Sequence, residues 1–150
     1  MYLPYNSKIT VAGKLTGGEG CIGVTLGDYY GTGAFTSGLA NGGANAIKCF
    51  ASDADGYAVK LSGGEAALAI DCSVANGKVT APEGAVLILA TYNASGRLTS
   101  SQTATVGEDC VNATPASLGI TLPTTGTWKL MLVDGKTFVP LCAAWSEKAN

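Results

Sequence analysis

The chain has 150 residues and contains no histidine. Histidine is the usual general base near neutral pH and a common metal ligand, so its absence removes the most frequent catalytic and zinc-binding arrangements. The five cysteines include no Cys-x-x-Cys pair, which leaves no zinc site built from thiolates at the usual spacing. We therefore predict no enzyme activity, no metal site and no cofactor.

Charged residues are also scarce, at 13% of the chain, and the formal net charge is −2. This balance gives no electrostatic reason to expect nucleic acid or an anionic membrane surface as a partner. No apolar run approaches the roughly 20 residues of a membrane helix, so we predict no membrane-spanning segment. The first residues lack the basic and apolar regions of a signal peptide. The chain is thus either cytoplasmic or a fragment whose targeting sequence lies upstream.

Glycine is abundant, with 21 residues, many of them in pairs such as Gly17-Gly18 and Gly63-Gly64. An interior glycine costs a helix about 1 kcal/mol relative to alanine. Between the glycine-rich breakers lie short runs rich in β-branched residues, for example Cys21–Leu26 and Tyr57–Leu61. Short strands separated by such loops predict an all-β fold: a short-strand β-stack, sandwich or solenoid.

The pattern changes near Asn76-Gly77, beyond which the runs are longer. Ala85–Tyr92 is a continuous apolar run, Asn93–Gly96 has the composition of a turn, and Arg97–Val106 has the pattern of a returning strand. This arrangement predicts a β-hairpin with Gly96 in the left-handed region of the turn. We place a domain boundary at this change, between residues 1–76 and residues 77–150.

Four other segments have the composition or alternation of strands. In Thr127–Val133, alternation predicts a strand whose apolar face includes Trp128, which we expect to be a core residue. Three further predicted strands are Ala46–Phe50, Ser117–Leu122 and Phe138–Leu141. Pro140 makes the last of these an edge strand, because proline has no amide hydrogen to donate.

The cysteine count is odd, so at least one thiol has no partner within the chain. Each cysteine lies in or beside an apolar run, and buried cysteine behaves as a small hydrophobic residue. We therefore expect buried, reduced thiols, with a single disulfide as the alternative. The five positions are Cys21, Cys49, Cys72, Cys110 and Cys142.

The loop around Asp28, Tyr29 and Tyr30 is the best candidate for ligand binding. Adjacent tyrosines in a glycine-rich loop can stack on a sugar ring, although packing of one ring on the sheet explains the same residues. A second acidic loop, Asp53–Gly56, hints at a calcium site. It lacks the further acids and the final glutamate of the EF-hand pattern, so we interpret it as a solvated turn.

Three blocks in the second half share a pattern with a known class of module. They are Val86–Leu98, Trp128–Asp134 and Phe138–Cys142. With these blocks, residues 79–145 resemble the small immunoglobulin-like or fibronectin-type-III-like module of large surface proteins from Gram-positive gut bacteria. Asn93 stands where such modules usually have aspartate, and Met131 and Val133 replace their usual aromatic residues.

The first half contains segments in the order found at the end of the parallel β-helix region of the same kind of protein. Among them are Lys8–Thr16, Ile22–Thr25, Phe35–Gly38 and Phe50–Asp53. The two resemblances together imply a β-solenoid end followed by an immunoglobulin-like β-sandwich. They also imply an extracellular or cell-surface location, as a fragment of a larger secreted protein.

Three classes of function follow for this all-β chain. The first is a non-enzymatic structural or adhesion segment of a bacterial cell-surface protein. The second is a carbohydrate- or host-ligand-binding module, with glycans or host surface proteins as partners. The third is a self-assembling subunit of a surface filament, because unpaired strand edges can pair with another copy.

Overall fold

A computed structural model of the chain describes residues 1–4, 6–27 and 33–149. It contains two compact units, Met1–Ile70 and Asp71–Asn150. The all-β prediction is confirmed: the helices of the described residues are short 3-10 segments, η1 (Leu39–Gly42), η2 (Ala46–Cys49) and η3 (Ala116–Leu118). No helix in these residues is long and apolar enough to cross a membrane.

The first unit combines parallel and antiparallel strand pairing. Its strands are β1 (Tyr2–Leu3), β2 (Ile9–Thr10), β3 (Ile22–Leu26), β4 (Gly33–Ala34), β5 (Thr36–Ser37), β6 (Phe50–Ser52), β7 (Tyr57–Ser62) and β8 (Glu65–Ile70). They form three sheets, in the orders β1-β3-β6, β2-β5 and β4-β8-β7.

The parallel sheets stack successive coils of the chain. Tyr2 pairs with Thr25, 23 positions later (25 − 2), and Ile22 pairs with Phe50, 28 positions later (50 − 22). Strands β2 and β5 pair in parallel in the same way. The chain therefore returns to the same place after each coil of similar length and lays one short strand beside the previous one.

Apolar side chains from these coils meet in one core. Val24, on the central strand β3, is fully buried because strands flank it on both sides. The rings of Phe35 and Phe50 pack edge to face, with centroids 5.4 Å apart and planes at 73°. The full core cluster is Leu3, Val11, Val24, Phe35, Leu39, Ala46, Phe50, Ala66 and Leu68.

An antiparallel hairpin follows the coils in the first unit. Strands β7 and β8 pair along their whole length, and Gly63 and Gly64 form the turn between them with φ of 58° and 84°. Two successive positive φ values are typical of the two-residue turns that match strand twist. Strand β8 also pairs with β4, so the hairpin is tied to the coil that precedes it.

The second unit is built from two antiparallel sheets. Its strands are β9 (Ser73–Ala75), β10 (Lys78–Ala81), β11 (Val86–Tyr92), β12 (Leu98–Thr105), β13 (Cys110–Ala113), β14 (Gly126–Val133) and β15 (Trp145–Ala149). The sheet orders are β13-β10-β9 and β12-β11-β14-β15.

The core of the second unit confirms the alternation predicted for Thr127–Val133. Trp128 is 2% exposed, and its ring meets that of Trp145 edge to face, with centroids 4.8 Å apart and planes at 90°. Residues from both sheets contribute to the core cluster: Val74, Val79, Ala81, Ala85, Leu87, Leu89, Val106, Ile120, Trp128, Leu130 and Leu132.

The predicted hairpin of this unit is also confirmed, as β11 and β12. Gly96 has φ of 75°, in the left-handed region that the turn requires. The side chain of Asn93 holds the turn, because its Oδ1 accepts hydrogen bonds from the amides of Ser95 at 3.0 Å and Arg97 at 2.9 Å.

The strand predicted at Ala46–Phe50 is wrong over most of its length. The residues up to Cys49 form the 3-10 helix η2, and only Phe50 belongs to a strand. Gly43, with φ of 92°, lets the chain turn, and its carbonyl accepts a hydrogen bond from the amide of Ala46 at 3.0 Å. This apolar run therefore forms one turn of 3-10 helix before the chain becomes extended in β6.

The strands predicted at Ser117–Leu122 and Phe138–Leu141 are also wrong. The first lies in η3 and the loop after it, because Pro115 precedes a 3-10 turn that Gly119 ends with φ of 84°. In the second, Phe138 has φ of 57° and leaves the extended region. Only Pro140 forms an isolated antiparallel bridge, to Val133.

The division into units falls earlier than the predicted change at Asn76-Gly77. These two residues, with φ of 50° and 73°, form the turn of the hairpin made by β9 and β10. Val74 on β9 already packs in the core of the second unit. The compact units therefore separate after Ile70, because β9 is a strand of the second unit.

We predict that Trp128→Ala lowers the free energy of unfolding by about 3–5 kcal/mol, the range for truncating a buried large aromatic side chain. Trp128→Phe should cost less, because the indole N–H has no hydrogen-bond partner in the described structure and the ring volume is partly kept. Chemical denaturation measures both. Thr127→Ala, at an exposed position of the same strand, is the control, and an equal loss in that variant would contradict the prediction.

Candidate functional site

The predicted ligand-binding residues Asp28, Tyr29 and Tyr30 lie outside the described residues. Their described neighbours include Gly27, whose amide donates to the carbonyl of Leu3 at 2.8 Å. A side chain at Gly27 would overlap the Tyr2 hydroxyl, so the ring of Tyr2 covers this glycine. Tyr2 is 61% exposed, and its ring lies beside Gly27, the last described residue before the candidate segment. No pattern in the sequence pointed to Tyr2 as a candidate.

The acidic turn Asp53–Gly56 connects β6 to β7. One carboxylate oxygen of Asp53 lies 3.3 Å from the ammonium group of Met1 and 3.5 Å from Thr25 Oγ1. No group of three or more acidic, cysteine or histidine side chains comes together in the described ranges to hold a metal ion. The Asp53 carboxylate thus contacts a hydroxyl group of strand β3 in its own unit.

A shallow groove of about 500 Å³ lies in the second unit. Burial raises the pKa of the Cys110 thiol, and the negative charges of Asp109 and Glu108 raise it further. A hydrogen bond from the Ala81 amide lowers this pKa but does not cancel the effect of burial. A thiol with a raised pKa stays protonated near neutral pH and is a weak nucleophile. The residues lining the groove are Thr105, Gly107, Glu108, Cys110, Ala113, Ser117 and Leu118.

The loop after β14 is held in shape by Asp134. Its Oδ1 accepts hydrogen bonds from the amides of Lys136 at 3.0 Å and Thr137 at 2.7 Å, and from the Thr137 hydroxyl at 2.8 Å. These hydrogen bonds lower the pKa of Asp134. The bond from the Thr137 amide contributes most, the bond from the Thr137 hydroxyl is next, and the bond from the Lys136 amide follows. The carboxylate is therefore ionised at neutral pH and fixes the loop by local bonds.

This loop presents two apolar side chains to solvent. Phe138 is 64% exposed and Val139 is 59% exposed. Phe138 also has φ of 57°, a left-handed conformation that is costly for a bulky residue and that concentrates at functional sites. The sequence pattern predicted a strand at Phe138–Leu141, so it did not identify Phe138 as an exposed residue of a loop.

The carboxylate of Glu65 accepts three hydrogen bonds within the first unit. The donors are Thr36 Oγ1 at 2.7 Å, the Gly38 amide at 2.9 Å and the Leu39 amide at 3.1 Å. The Thr36 hydroxyl is fully buried and accepts in turn from the Ala66 amide at 2.8 Å. The network joins strand β5, helix η1 and strand β8.

The pKa of Glu65 is lowered by this network. The hydrogen bond from Thr36 is the largest cause. Hydrogen bonds from the amides of Leu39 and Gly38 and the positive charge of Lys8 also lower the pKa, while partial desolvation of the carboxylate raises it. Glu65 is thus ionised and fully engaged with its own unit, which suits a structural carboxylate better than a general acid or base.

Two pairs of cysteines lie close together, one in each unit. In the first unit, the thiol of Cys21 donates to the carbonyl oxygen of Cys49 at 3.6 Å. In the second, burial raises the pKa of Cys142 and the neighbouring Cys72 raises it further. The expectation of buried thiols is confirmed for Cys49 and wrong for Cys21, which is exposed. The remaining three cysteines have intermediate exposure.

Comparison with protein-family models, with curated proteins and with solved structures yields no match for this chain.

We predict that the first unit loses stability as the pH falls below about 5, because Glu65 has a lower pKa folded than unfolded. The stabilisation is complete above the unfolded pKa and disappears as the pH falls through the folded pKa. Glu65→Gln should therefore unfold at a lower temperature at pH 7 and show a smaller difference between pH 7 and pH 3. Thermal unfolding at both values measures this.

Glu19→Gln is the control for that measurement. Glu19 is an exposed carboxylate in the same unit, 3.5 Å from the Lys48 ammonium group, and exposed ion pairs contribute little. If Glu19→Gln and Glu65→Gln change the pH dependence equally, the network around Glu65 is not its source.

Proposed function

We propose that this chain is a non-enzymatic structural or adhesion segment of a secreted bacterial cell-surface protein. The observation that supports this proposal is the in-register parallel stacking of successive coils in the first unit, through β1, β3 and β6 and through β2 and β5. Coils that contact only their neighbours build extended scaffolds whose length is set by the number of repeats.

The open strand edges of the first coil support the same proposal. Within the described residues, β1 pairs only with β3, and β2 pairs only with β5. Each therefore has an outer edge of backbone donors and acceptors that a further coil can satisfy. We infer that the first unit is the end of a β-solenoid, and that the two sheets of the second unit form an immunoglobulin-like sandwich.

The chemistry of the described side chains fits a structural role. Glu65 and Asp134, the two carboxylates with lowered pKa values, both bind backbone amides of their own unit. Neither is poised to exchange a proton at neutral pH. Cys110, in the groove of the second unit, has a raised pKa and is poorly activated for attack.

A specific feature of β12 favours self-assembly as a second function. Seven of its eight residues are exposed, and in the described structure it pairs only with β11. Its sequence, Leu98–Thr105, contains neither a charged residue nor proline. Natural sheet edges are usually protected by charges, proline or bulges. The register of β12 against β11 shifts at Thr99, and the segment 100–105 beyond this irregularity is uncharged and regularly paired, which suits pairing with the same strand of a second copy.

Binding of glycans or host surface proteins remains the other alternative. It rests on Tyr29 and Tyr30, which lie outside the described residues, and on the exposed aromatic rings of Tyr2 and Phe138. A glycan array run with Tyr29→Ala and Phe138→Ala distinguishes a binding module from a stalk, because specific binding would be lost in one of these variants and unchanged in the other.

We predict that protease treatment of intact bacterial cells that express the protein releases peptides of this chain. A surface segment is accessible without lysis, whereas an intracellular protein is not. Mass spectrometry of the released fraction measures this, with an abundant cytoplasmic protein followed as the lysis control. Recovery of the chain only after lysis would contradict the proposed location and, with it, the proposed role.

We also predict that the purified chain forms a dimer at high concentration and that Ser101→Lys combined with Thr103→Lys abolishes it. Lysines on both copies of the paired edge would repel each other across the interface. Sedimentation velocity over a concentration series measures the change. Ala94→Lys combined with Ser95→Lys, in the exposed turn before β12, adds the same two charges away from the strand and is the control. A wild-type chain that stays monomeric throughout would exclude self-assembly through β12.

A further inference from the structure

The parallel register of the first unit places Cys21 beside Cys49. On one side of this pair, the amide of Gly20 donates to the carbonyl of Lys48 at 2.7 Å. On the other side, Ile22 is the register partner of Phe50. Neighbouring strands lie about 4.8 Å apart. That spacing falls within the range of about 4.4–6.8 Å between Cα atoms that a disulfide requires.

The sulfur atoms of Cys21 and Cys49 also both lie against the backbone of Gly17. The Cys21 thiol donates to the Cys49 carbonyl oxygen at 3.6 Å, and the Cys49 thiol donates to the Gly17 carbonyl oxygen at 3.6 Å. A side chain at Gly17 would overlap the Cys21 sulfur. Both thiols therefore lie against Gly17, where only glycine leaves room for the Cys21 sulfur.

The two thiols differ in their access to solvent. Cys21 is exposed, whereas Cys49 is 5% exposed. Burial raises the pKa of Cys49, and the neighbouring Cys21 raises it further. An external oxidant therefore meets Cys21 first, and Cys49 is reached only from within the protein.

We propose that Cys21 and Cys49 form an intramolecular disulfide that links two successive coils of the first unit. This site goes beyond the proposed function and does not depend on it. It replaces the expectation that these two residues act only as small apolar side chains. The bond would close a loop of 28 positions (49 − 21), which restricts the unfolded chain.

The oxidation proceeds by thiol–disulfide exchange with a low-molecular-weight disulfide such as oxidised glutathione. The Cys21 thiolate attacks one sulfur of that disulfide, one glutathione thiol leaves, and a mixed disulfide forms on Cys21. Cys49 then loses its proton, attacks the Cys21 sulfur and releases the second glutathione thiol. The two protein thiols are oxidised by two electrons in total, and the external disulfide is reduced to two thiols.

Peptide mapping tests the bond directly. Trypsin cleaves after Lys14, Lys48 and Lys60, which places Cys21 in peptide 15–48 and Cys49 in peptide 49–60, with one cysteine in each. The full chain is equilibrated with oxidised and reduced glutathione, remaining thiols are alkylated, and the digest is analysed without reduction. We expect the two peptides joined, two hydrogens lighter than their sum, and separated on reduction.

Variants make the result specific. Cys21→Ser, at an exposed position, should remove the joined peptide and the rise in melting temperature, several degrees in size, that oxidation gives the wild type. Cys110→Ser should leave both unchanged. The proposal is overturned if Cys21 ends as a glutathione adduct while Cys49 is alkylated. Joining of Cys21 to any cysteine other than Cys49 would overturn it equally.

Discussion

The contact between Glu65 and Thr36 joins the two kinds of sheet in the first unit. Thr36 lies on a strand of the stacked coils, and Glu65 begins the second strand of the hairpin that follows. The Thr36 hydroxyl is fully buried, so it needs both the carboxylate that it donates to and the Ala66 amide that it accepts from. The same carboxylate binds the amides of Gly38 and Leu39, where the coil turns into η1. One ionised group thereby links a strand of the stacked coils, the start of η1 and the hairpin that follows, next to the core residue Phe35, whose amide donates to the carbonyl of Ala66.

In the second unit, pairs of hydroxyl groups, rather than pairs of charged side chains, link neighbouring strands on the exposed surface. On the exposed side of the hairpin, Thr91 Oγ1 lies 3.0 Å from Thr99 Oγ1 and 2.6 Å from Ser100 Oγ. Cross-strand hydroxyl pairs stabilise a sheet without long, flexible side chains. They also leave the edge strand β12 without like charges to repel a second strand. The low charge of the chain, evident from its composition, thus has a structural consequence at the edge strand β12, where seven of eight residues are exposed.

The sequence predicted those elements in which pattern and turn chemistry agree. The alternation around Trp128 and the turn ending at Gly96 each specify one local structure, and both were correct. Alternation alone was not sufficient. Ser117–Leu122 alternates, but the flanking Pro115 and Gly119 favour a 3-10 turn, and left-handed Phe138 interrupts the last predicted strand. For ligand binding, the sequence pointed to residues 28–30, which lie outside the described residues. It could not select Phe138, because a left-handed aromatic residue has no local sequence signal.

The cysteine pairs could not be read from the sequence for a different reason. Cys21 and Cys49 become neighbours only because the coils repeat with a length that brings position 49 back beside position 21, and that register is a property of the fold. Cys142 likewise approaches Cys72 only after the second unit has folded. Each close pair lies within a single unit, and in the first unit two sulfur-to-carbonyl hydrogen bonds hold the thiols beside Gly17. A disulfide between Cys21 and Cys49 would persist outside a reducing cytoplasm. The bond proposed between Cys21 and Cys49 would therefore be stable in the extracellular location that we propose for the chain.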